Sequence, residues 1–398
     1  MEKVKIERLD NFGRGIGYIN NKVVFIENAL PEEIVKCEII EDKKNYSVGK
    51  VVEYIKQVQE RVVPKCKYYD KCGGCHLQHL SYDDTKNYKI NKIKNMLQRE
   101  NVYNGDINFI ENKNDYYYRN KIELKIENND IGFYQNKTHD LVSINECLIT
   151  KSCINKIIPE LLECNLSNAK VTIRANYNDE ILLIINTSDE FKYEKLLENN
   201  KIVGIVLNDK LIYGESYFVE KINDMYFKVS YDAFFQINEY ICSKLFEIID
   251  NNIKNNSVVA DLYCGVGTLT LVAAKKANKV YGIEIVENAI LDAIKNAKIN
   301  NFENAYFMVG SVPDILPKIN DKLDLVIVDP PRAGLDKKTL DKIIEYKPAS
   351  IIYTSCDPMT LVRDLKELTK YYDIKKFNLL DMFSYTYHVE SVVVLYLK

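Results

Sequence analysis

The spacing of apolar and polar residues changes rhythm twice along this 398-residue chain. Up to about residue 57, short apolar runs at 3–9, 17–19, 23–26, 34–40 and 49–55 are separated by turn formers: Asn11, Gly13, Asn20-Asn21, Pro31 and Asn45. That pattern predicts five short strands closed into a small β-barrel, a form that leaves no sheet edge open. From about 121 to 228, strand-like runs (121–126, 171–175, 181–185, 202–207) mix with one or two helical stretches, predicting a mixed α/β region. In the last third, β-branched runs at 257–262, 279–283, 305–309, 325–328 and 350–354 alternate with helical stretches, clearest at 269–276 and 287–300. Strand–helix alternation predicts a parallel, doubly wound, Rossmann-like sheet. The expected division is a barrel at 1–58, a central α/β domain at 59–235 and the doubly wound domain at 236–398.

Composition narrows the class. The hydrophobic fraction of 46% and charged fraction of 28% are ordinary for a soluble protein. No apolar run approaches membrane-span length, and MEKVKIERLD does not read as a signal peptide, so a cytoplasmic protein without a membrane partner is expected. In that reducing setting, ten cysteines argue against disulfides and for ligation or catalysis. A net charge of -3 provides no global basic footprint, so a nucleic-acid partner would be held by local patches. Nothing marks an obligate protein partner, and a monomer is expected.

Three cysteines fall close together: Cys66, Cys72 and Cys75, with Gly73-Gly74 in the second gap. Glycine frees the backbone for a tight loop, so three thiolates can turn onto one centre. Cys147 is the best candidate for a fourth ligand and Cys153 its competitor. Zinc accepts four thiolates but is usually held by two close pairs, so three plus a distant one favours an iron–sulfur cluster. Downstream, Ser81-Tyr82-Asp83-Asp84 has the form of a helix-capping box. Lys86, Lys89, Lys92, Lys94 and Arg99 on that helix make either a solvated face or a phosphate contact. Tyr116-Tyr117-Tyr118-Arg119-Asn120-Lys121 interleaves aromatics with cations, which suits stacking on bases plus backbone contact.

The chemistry concentrates at strand ends in the last third. Asp261-Leu262-Tyr263-Cys264-Gly265-Val266-Gly267 is a strand-to-helix turn whose glycines, Gly265 included, let backbone approach a ligand. It is Gly-x-Gly, short of the full dinucleotide motif. Glu284 ends the next strand, where an acid accepts both hydroxyls of an adenosine ribose. That spacing points to S-adenosylmethionine; the plain alternative is a tight turn and a surface acid. Asp329-Pro330-Pro331-Arg332 follows a third strand. Cys356 ends a fourth, in Ser355-Cys356-Asp357-Pro358, as either a core thiol or a nucleophile. His388-Val389-Glu390 opens a final strand at 391–396, with Glu390 as a base or as a salt-bridge partner. A methyl donor beside a strand-end thiol points to methylation of a carbon that is not nucleophilic on its own. Addition of the thiolate to C6 of a pyrimidine makes C5 the nucleophile, and a base then removes the C5 proton so that the cysteine leaves. A cytosine-C5 enzyme would need a Pro-Cys pair where this chain has Pro330-Pro331-Arg332, and an exocyclic-amine enzyme an aromatic there.

Two resemblances add to this reading. Asn11-Phe12-Gly13-Arg14-Gly15-Ile16-Gly17, with Val24-Phe25-Ile26 and Ala29-Leu30-Pro31, resembles the TRAM module, an RNA-binding barrel. Pro31-Glu32-Glu33 stands where that module usually has Pro-Gly-Glu. Along essentially its full length the chain resembles the uracil-C5 RNA methyltransferases of the bacterial ribosomal-RNA type. The matching residues are Cys66, Cys72, Cys75 and Cys147, Phe234-Phe235-Gln236-Ile237-Asn238, the turn at 261–267, Asp329-Pro330-Pro331-Arg332-Ala333-Gly334, Ser355-Cys356 and His388-Val389-Glu390. The resemblance implies a [4Fe-4S] cluster, S-adenosylmethionine and a flipped-out uridine. It implies Cys356 as nucleophile and Glu390 as base. It places Gln236, Tyr263, Thr268, Glu284, Ser311 and Asp329 at cofactor contacts, Phe234 against displaced bases and Arg119 on RNA. The expected substrate is a uridine of 23S ribosomal RNA. The alternatives are the transfer-RNA T-loop, or a non-catalytic iron–sulfur RNA-binding protein. Three departures stand out: Asp357 replaces the family's asparagine beside the nucleophile, Ser311 replaces an acid, and Ser384 replaces a proline.

Overall fold

The computed structural model describes every residue except Lys137. The chain divides into two compact units: Met1–Lys92 with Tyr134–Val142 and Tyr385–Tyr387, and Ile93–Phe133 with Ser143–Ser384 and His388–Lys398.

The first unit begins with a six-stranded sheet in the order Glu2–Lys5, Ile34–Asp42, Tyr46–Lys56, Lys22–Glu27, Gly15–Ile19, Arg8–Leu9. Alternate residues turn inward to a core of Val4, Ile6, Val24, Ile26, Ala29, Val35 and Cys37, which is what period-two patterning demands. The run at 3–9, expected as one strand, is two. The chain changes partner at the break: Ile6 N–H donates to the Glu33 carbonyl, and Glu7 N–H to the Ile16 carbonyl. Such a bend carries a strand from one part of a small curved sheet to another. Glu32, in the place where the TRAM module usually has glycine, takes φ 67, so the turn keeps a left-handed residue despite its side chain. Its neighbour Glu33 is fully buried and is held by Arg61, whose Nε and Nη2 lie 2.6 and 2.7 Å from the two carboxylate oxygens.

Residues 57–81 carry no helix or strand, only isolated bridges such as Arg61 with Leu80 and Cys72 with Gln135. The helix Tyr82–Arg99 follows, with Ser81 Oγ accepting from Asp84 N–H at 3.1 Å, as the capping box predicts. Its lysines do not form one solvated face. Lys89 is fully buried, and Lys92 is nearly so, with Nζ 2.9 Å from the Tyr387 carbonyl oxygen.

The second unit contains five neighbouring strands of a mixed sheet, Lys121–Glu127, Asn168–Ala175, Ile181–Thr187, Ile202–Leu207 and Lys210–Gly214, and an antiparallel hairpin, Tyr217–Ile222 with Met225–Ser230. Its largest element is an eight-stranded sheet ordered Ala305–Val309, Lys279–Glu284, Val258–Leu262, Leu325–Val328, Ser350–Ser355, Glu390–Leu397, Tyr372–Leu380, Asn108–Ile110. The first five strands are parallel, and Glu390–Leu397 returns antiparallel between two of its neighbours. Every residue of Leu325–Val328 and of Ser350–Ser355 is buried, as expected of central strands covered on both faces. The strand order reverses between Val258–Leu262 and Leu325–Val328, and a doubly wound sheet opens its ligand crevice beyond the carboxyl ends at such a point. Among the described residues no helix is long and apolar enough to cross a membrane.

Candidate active site

Sheet register gathers the site. Leu262 pairs with Val328, Val328 with Tyr353, and Ser355 with Ser391. Tyr263, Asp329 and Cys356 therefore leave adjacent strand ends together. Glu390, one residue before Ser391 on the antiparallel strand, becomes the register neighbour of Cys356.

The electrostatics follow from this packing. Burial first and the charge of Glu390 second push the Cys356 thiol up to about 11, with the Arg332 guanidinium acting in the opposite direction. Glu390 is held well above the usual carboxylate range by burial, with the charge of Asp329 adding to the effect. Burial likewise raises Asp329. Burial favours the neutral forms of the two carboxyls and the thiol, and Arg332 is the cation that favours the thiolate. Arg332 stands three residues after Asp329; the signal for it was in the Asp-Pro-Pro-Arg motif, but the sequence alone assigned it no role.

A narrow pocket at the switch point is lined by Phe234, Phe235, Gln236, Asp261, Tyr263, Cys264, Gly265, Val266, Thr268, Leu269 and Asp329. Of the expected cofactor residues it brings together Gln236, Tyr263, Gly265, Thr268 and Asp329. Tyr263 adopts φ 66, a strained value for a bulky residue, and its hydroxyl donates to Thr339 Oγ1 at 3.3 Å. Gly265, at φ 52, has open space where a Cβ would stand, so backbone is presented bare to the crevice. Its N–H donates to Glu284 Oε2 at 3.2 Å, while Glu284 Oε1 accepts from Ile285 and Val286 N–H at 2.8 and 3.0 Å. Glu284 thus ends its strand beside the glycine turn without lining the pocket. Ser311 likewise does not line the pocket; it follows Gly310, whose N–H donates to the Glu284 carbonyl at 2.9 Å, and donates to Asp314 at the start of the short helix Val312–Ile315. Asp261 was not singled out as a contact, yet it is almost fully buried, Thr270 Oγ1 donates to its Oδ2, its Oδ1 has no partner, and burial pushes its carboxyl up to about 7.

The departures have local explanations. Asp357 caps the helix Pro358–Leu368, accepting from Met359 and Thr360 N–H at 2.9 and 3.1 Å, so its carboxylate is engaged by the helix N-terminus. Buried Ser384 donates to Asp381 at 2.6 Å and accepts from Asn112 at 3.1 Å, bonds a proline could not make. Phe234 is 72% exposed at the pocket rim. Arg119 does not line the pocket; its Nε donates to the Lys121 carbonyl at 2.8 Å.

The cysteine loop belongs to the first unit. Cys72 and Cys75 border a cavity of about 390 Å³ that Phe12, Arg14, His76, Gln135, Asn136 and Tyr387 also line, and Gly74 N–H lies 3.4 Å from Cys72 Sγ. Cys66, Cys72 and Cys75 are all partly exposed. Among the described residues no group of three or more His, Cys, Asp or Glu side chains is arranged to hold a metal ion. Cys147, in the second unit, is held by Asn155 at both its N–H and its carbonyl, at 2.9 and 3.1 Å. Cys153 Sγ lies 3.4 Å from Asp179 Oδ1.

A doubly wound sheet with a glycine turn, an acid ending the next strand, and a thiol facing a carboxyl across neighbouring strand ends defines a Rossmann-like group-transfer enzyme. The particular family follows from comparison. The model of the tRNA (uracil-5-)-methyltransferase family matches residues 81–398 and that of the TRAM domain residues 2–52, and the chain belongs to this family of RNA methyltransferases. It is 36% identical to an uncharacterized RNA methyltransferase of Clostridium tetani, over 96% of this chain and 93% of that one. It is 32% identical to another from Aquifex aeolicus, over 100% and 98%. Among solved structures, the tRNA (uracil-54, C5)-methyltransferase of Pyrococcus abyssi, in complex with S-adenosyl-L-homocysteine, superposes with a TM-score of 0.83 at 26% identity over 99% of both chains.

Proposed function

We propose that this enzyme methylates C5 of a uridine in large-subunit (23S) ribosomal RNA, with Cys356 as nucleophile and Glu390 as base. The observation that carries the chemistry is the register pairing of Ser355 with Ser391, which sets thiol and carboxyl side by side at the carboxyl edge of the sheet. Cys356 Sγ, deprotonated with the help of Arg332, adds to C6 of the uracil, and the C5–C6 π electrons move to make C5 a nucleophile. Bound S-adenosylmethionine supplies the methyl group. Glu390, ionised for this step, takes the proton from methylated C5; the electrons of that C–H bond restore the double bond and the C6–S bond breaks. The raised proton affinity of Glu390 suits it to receive that proton. The residues available to hold S-adenosylmethionine are Gln236, Tyr263, Gly265, Thr268 and Asp329 in the pocket, Glu284 beside the glycine turn, and Ser311 by family position. The partnerless buried oxygen of Asp261 fits a ligand that carries positive charge. The exposed ring of Phe234 would stack against bases displaced when the uridine flips out, and Arg119 would contact RNA.

Ribosomal RNA is favoured by the pairing of a TRAM barrel with a cysteine loop. A transfer-RNA T-loop is the second reading, supported by the likeness to the Pyrococcus abyssi enzyme. The spacing of Cys66, Cys72 and Cys75 along the chain, with Cys147 as fourth ligand by family position, supports a [4Fe-4S] cluster of structural purpose. Iron and sulfide analysis of anaerobically purified protein tests it. Incubation with labelled S-adenosylmethionine and unmodified large-subunit RNA or transfer RNA, side by side, tests the rest. Label in 5-methyluridine from the ribosomal RNA is expected. Label from transfer RNA alone overturns the substrate, and label in another nucleoside overturns the reaction.

A further inference from the structure

The mechanism leaves unused one deeply buried cation of the second unit. Arg174, 2% exposed, is the penultimate residue of the strand Asn168–Ala175, opposite Lys121. Its Nη1 lies 2.8 Å from the carbonyl oxygen of Ala233, 3.2 Å from that of Tyr231 and 3.3 Å from that of Ser230. Its guanidinium carbon stands 4.9 Å from the centroid of the Phe218 ring. Burial pulls its proton affinity down to about 10, with Glu220 and Asp232 opposing, so it is a cation at neutral pH. A buried guanidinium is costly to desolvate, and here main-chain carbonyls of a single turn surround its Nη1.

That turn leads directly into Phe234-Phe235-Gln236. On the far side of the same segment, Asn120 N–H donates to the Ile237 carbonyl at 2.9 Å and Asn120 Nδ2 to the Gln236 carbonyl at 3.2 Å. The Asn120 carbonyl accepts from Ala175 N–H at 2.8 Å, next to Arg174. Phe235 is buried, 5.8 Å from Phe227 between ring centroids, while Phe234 between the two holds is exposed at the pocket rim.

We infer that Arg174 is a positioning residue for RNA recognition: with Asn120 it clamps residues 230–237 so that the Phe234 ring is presented rigidly to an unstacked base. The inference rests on the stacking role proposed for Phe234. A platform held in its bound conformation loses less entropy when the base arrives. Arg174 touches neither RNA nor cofactor, so its effect passes through Phe234.

The test combines kinetics with hydrogen exchange on the full-length protein. Arg174→Met and Phe234→Ala, singly and together, are assayed for kcat and KM with substrate RNA. R174M is expected to lower kcat/KM by about tenfold through KM in the wild-type background, and by less than twofold when Phe234 is already alanine. Amide exchange at 231–237 is expected to speed up in R174M, with the doubly wound sheet unaffected. Equal losses in both backgrounds, or exchange at 231–237 as slow as in wild type, would overturn the clamp. A fully active F234A protein would instead overturn the stacking role on which it rests, even if exchange shows the clamp. Should R174M not fold, Arg174→Lys and Asn120→Ala carry the same comparison.

Discussion

Cys356 and Cys72 are both thiols at which sequence reasoning placed chemistry, and the fold treats them in opposite ways. Cys356 stands at the end of a strand buried along its whole length, and its neighbours are fixed by pairing with strands on either side. Cys72 stands in a stretch of residues with no helix or strand, where only isolated bridges and turns set the backbone. Register sets the thiol and carboxyl of the first region side by side, and the turn after Asp329 brings the Arg332 guanidinium to the thiol. In the second, no group of three or more His, Cys, Asp or Glu side chains among the described residues is arranged to hold a metal ion. A site built on register tolerates no change of its reacting atoms, whereas a site built on a loop should fail through stability and binding.

The sharpest break of that comparison is at Cys356, the proposed nucleophile. Cys356→Ala should lower single-turnover methyl transfer by on the order of 10⁴-fold or more, with RNA binding intact. Glu390→Gln comes next. A loss of about 10²- to 10⁴-fold is expected, and denaturing gels should show RNA covalently held to the protein, because the step that releases Cys356 is the one that needs the base. Absence of that band would argue that another group removes the proton. Cys72→Ser should act differently, lowering the melting temperature and raising KM for RNA about tenfold while kcat stays within a few-fold. A Cys72→Ser protein as stable and active as wild type would remove the structural purpose proposed for the loop.

Alkylation of Cys356 by iodoacetamide sharpens the electrostatic half. The thiolate reacts, so the rate should climb with pH towards a midpoint of about 11. Glu390→Gln removes a negative neighbour and should move that midpoint down. Arg332→Met removes a positive one and should move it up, each by about one unit. The smallest effect belongs to Asp357. Asp357→Ala should cost about 1 kcal/mol of stability through the lost cap, and Asp357→Asn almost none. Neither should shift the alkylation midpoint, because the carboxylate is engaged with Met359 and Thr360 N–H.

The same contrast explains what the sequence disclosed. The parallel strands of the last third were legible because β-branched runs separated by helical stretches have few other solutions, and strand-end residues inherit their positions from that pattern. Asn108–Ile110 was not legible: three residues carry no period, and their pairing with Asn378, Leu379 and Leu380 is long-range. The hairpin of Tyr217–Ile222 and Met225–Ser230 does carry alternation around Asn223-Asp224, a turn signal readable from the sequence. Buried Lys89 contradicts the rule that a lysine run is a solvated face, because the environment of that helix is tertiary. Arg332 and Arg174 could be seen as residues but not as neighbours of Cys356 and of the 230–233 turn, since only folding brings them there. The capping role of Asp357 could have been anticipated, as an aspartate directly before Pro358 is a helix-start signature.

In the proposed reaction Cys356 attacks C6 of a uracil and Glu390 then removes the C5 proton. The most direct measurement is covalent trapping on RNA bearing 5-fluorouridine, followed by mass spectrometry of the cross-linked peptide. Fluorine at C5 cannot leave as a proton, so methyl transfer should stall with the RNA attached to Cys356 and to no other of the ten cysteines. No adduct, or an adduct on a different cysteine, would contradict the account.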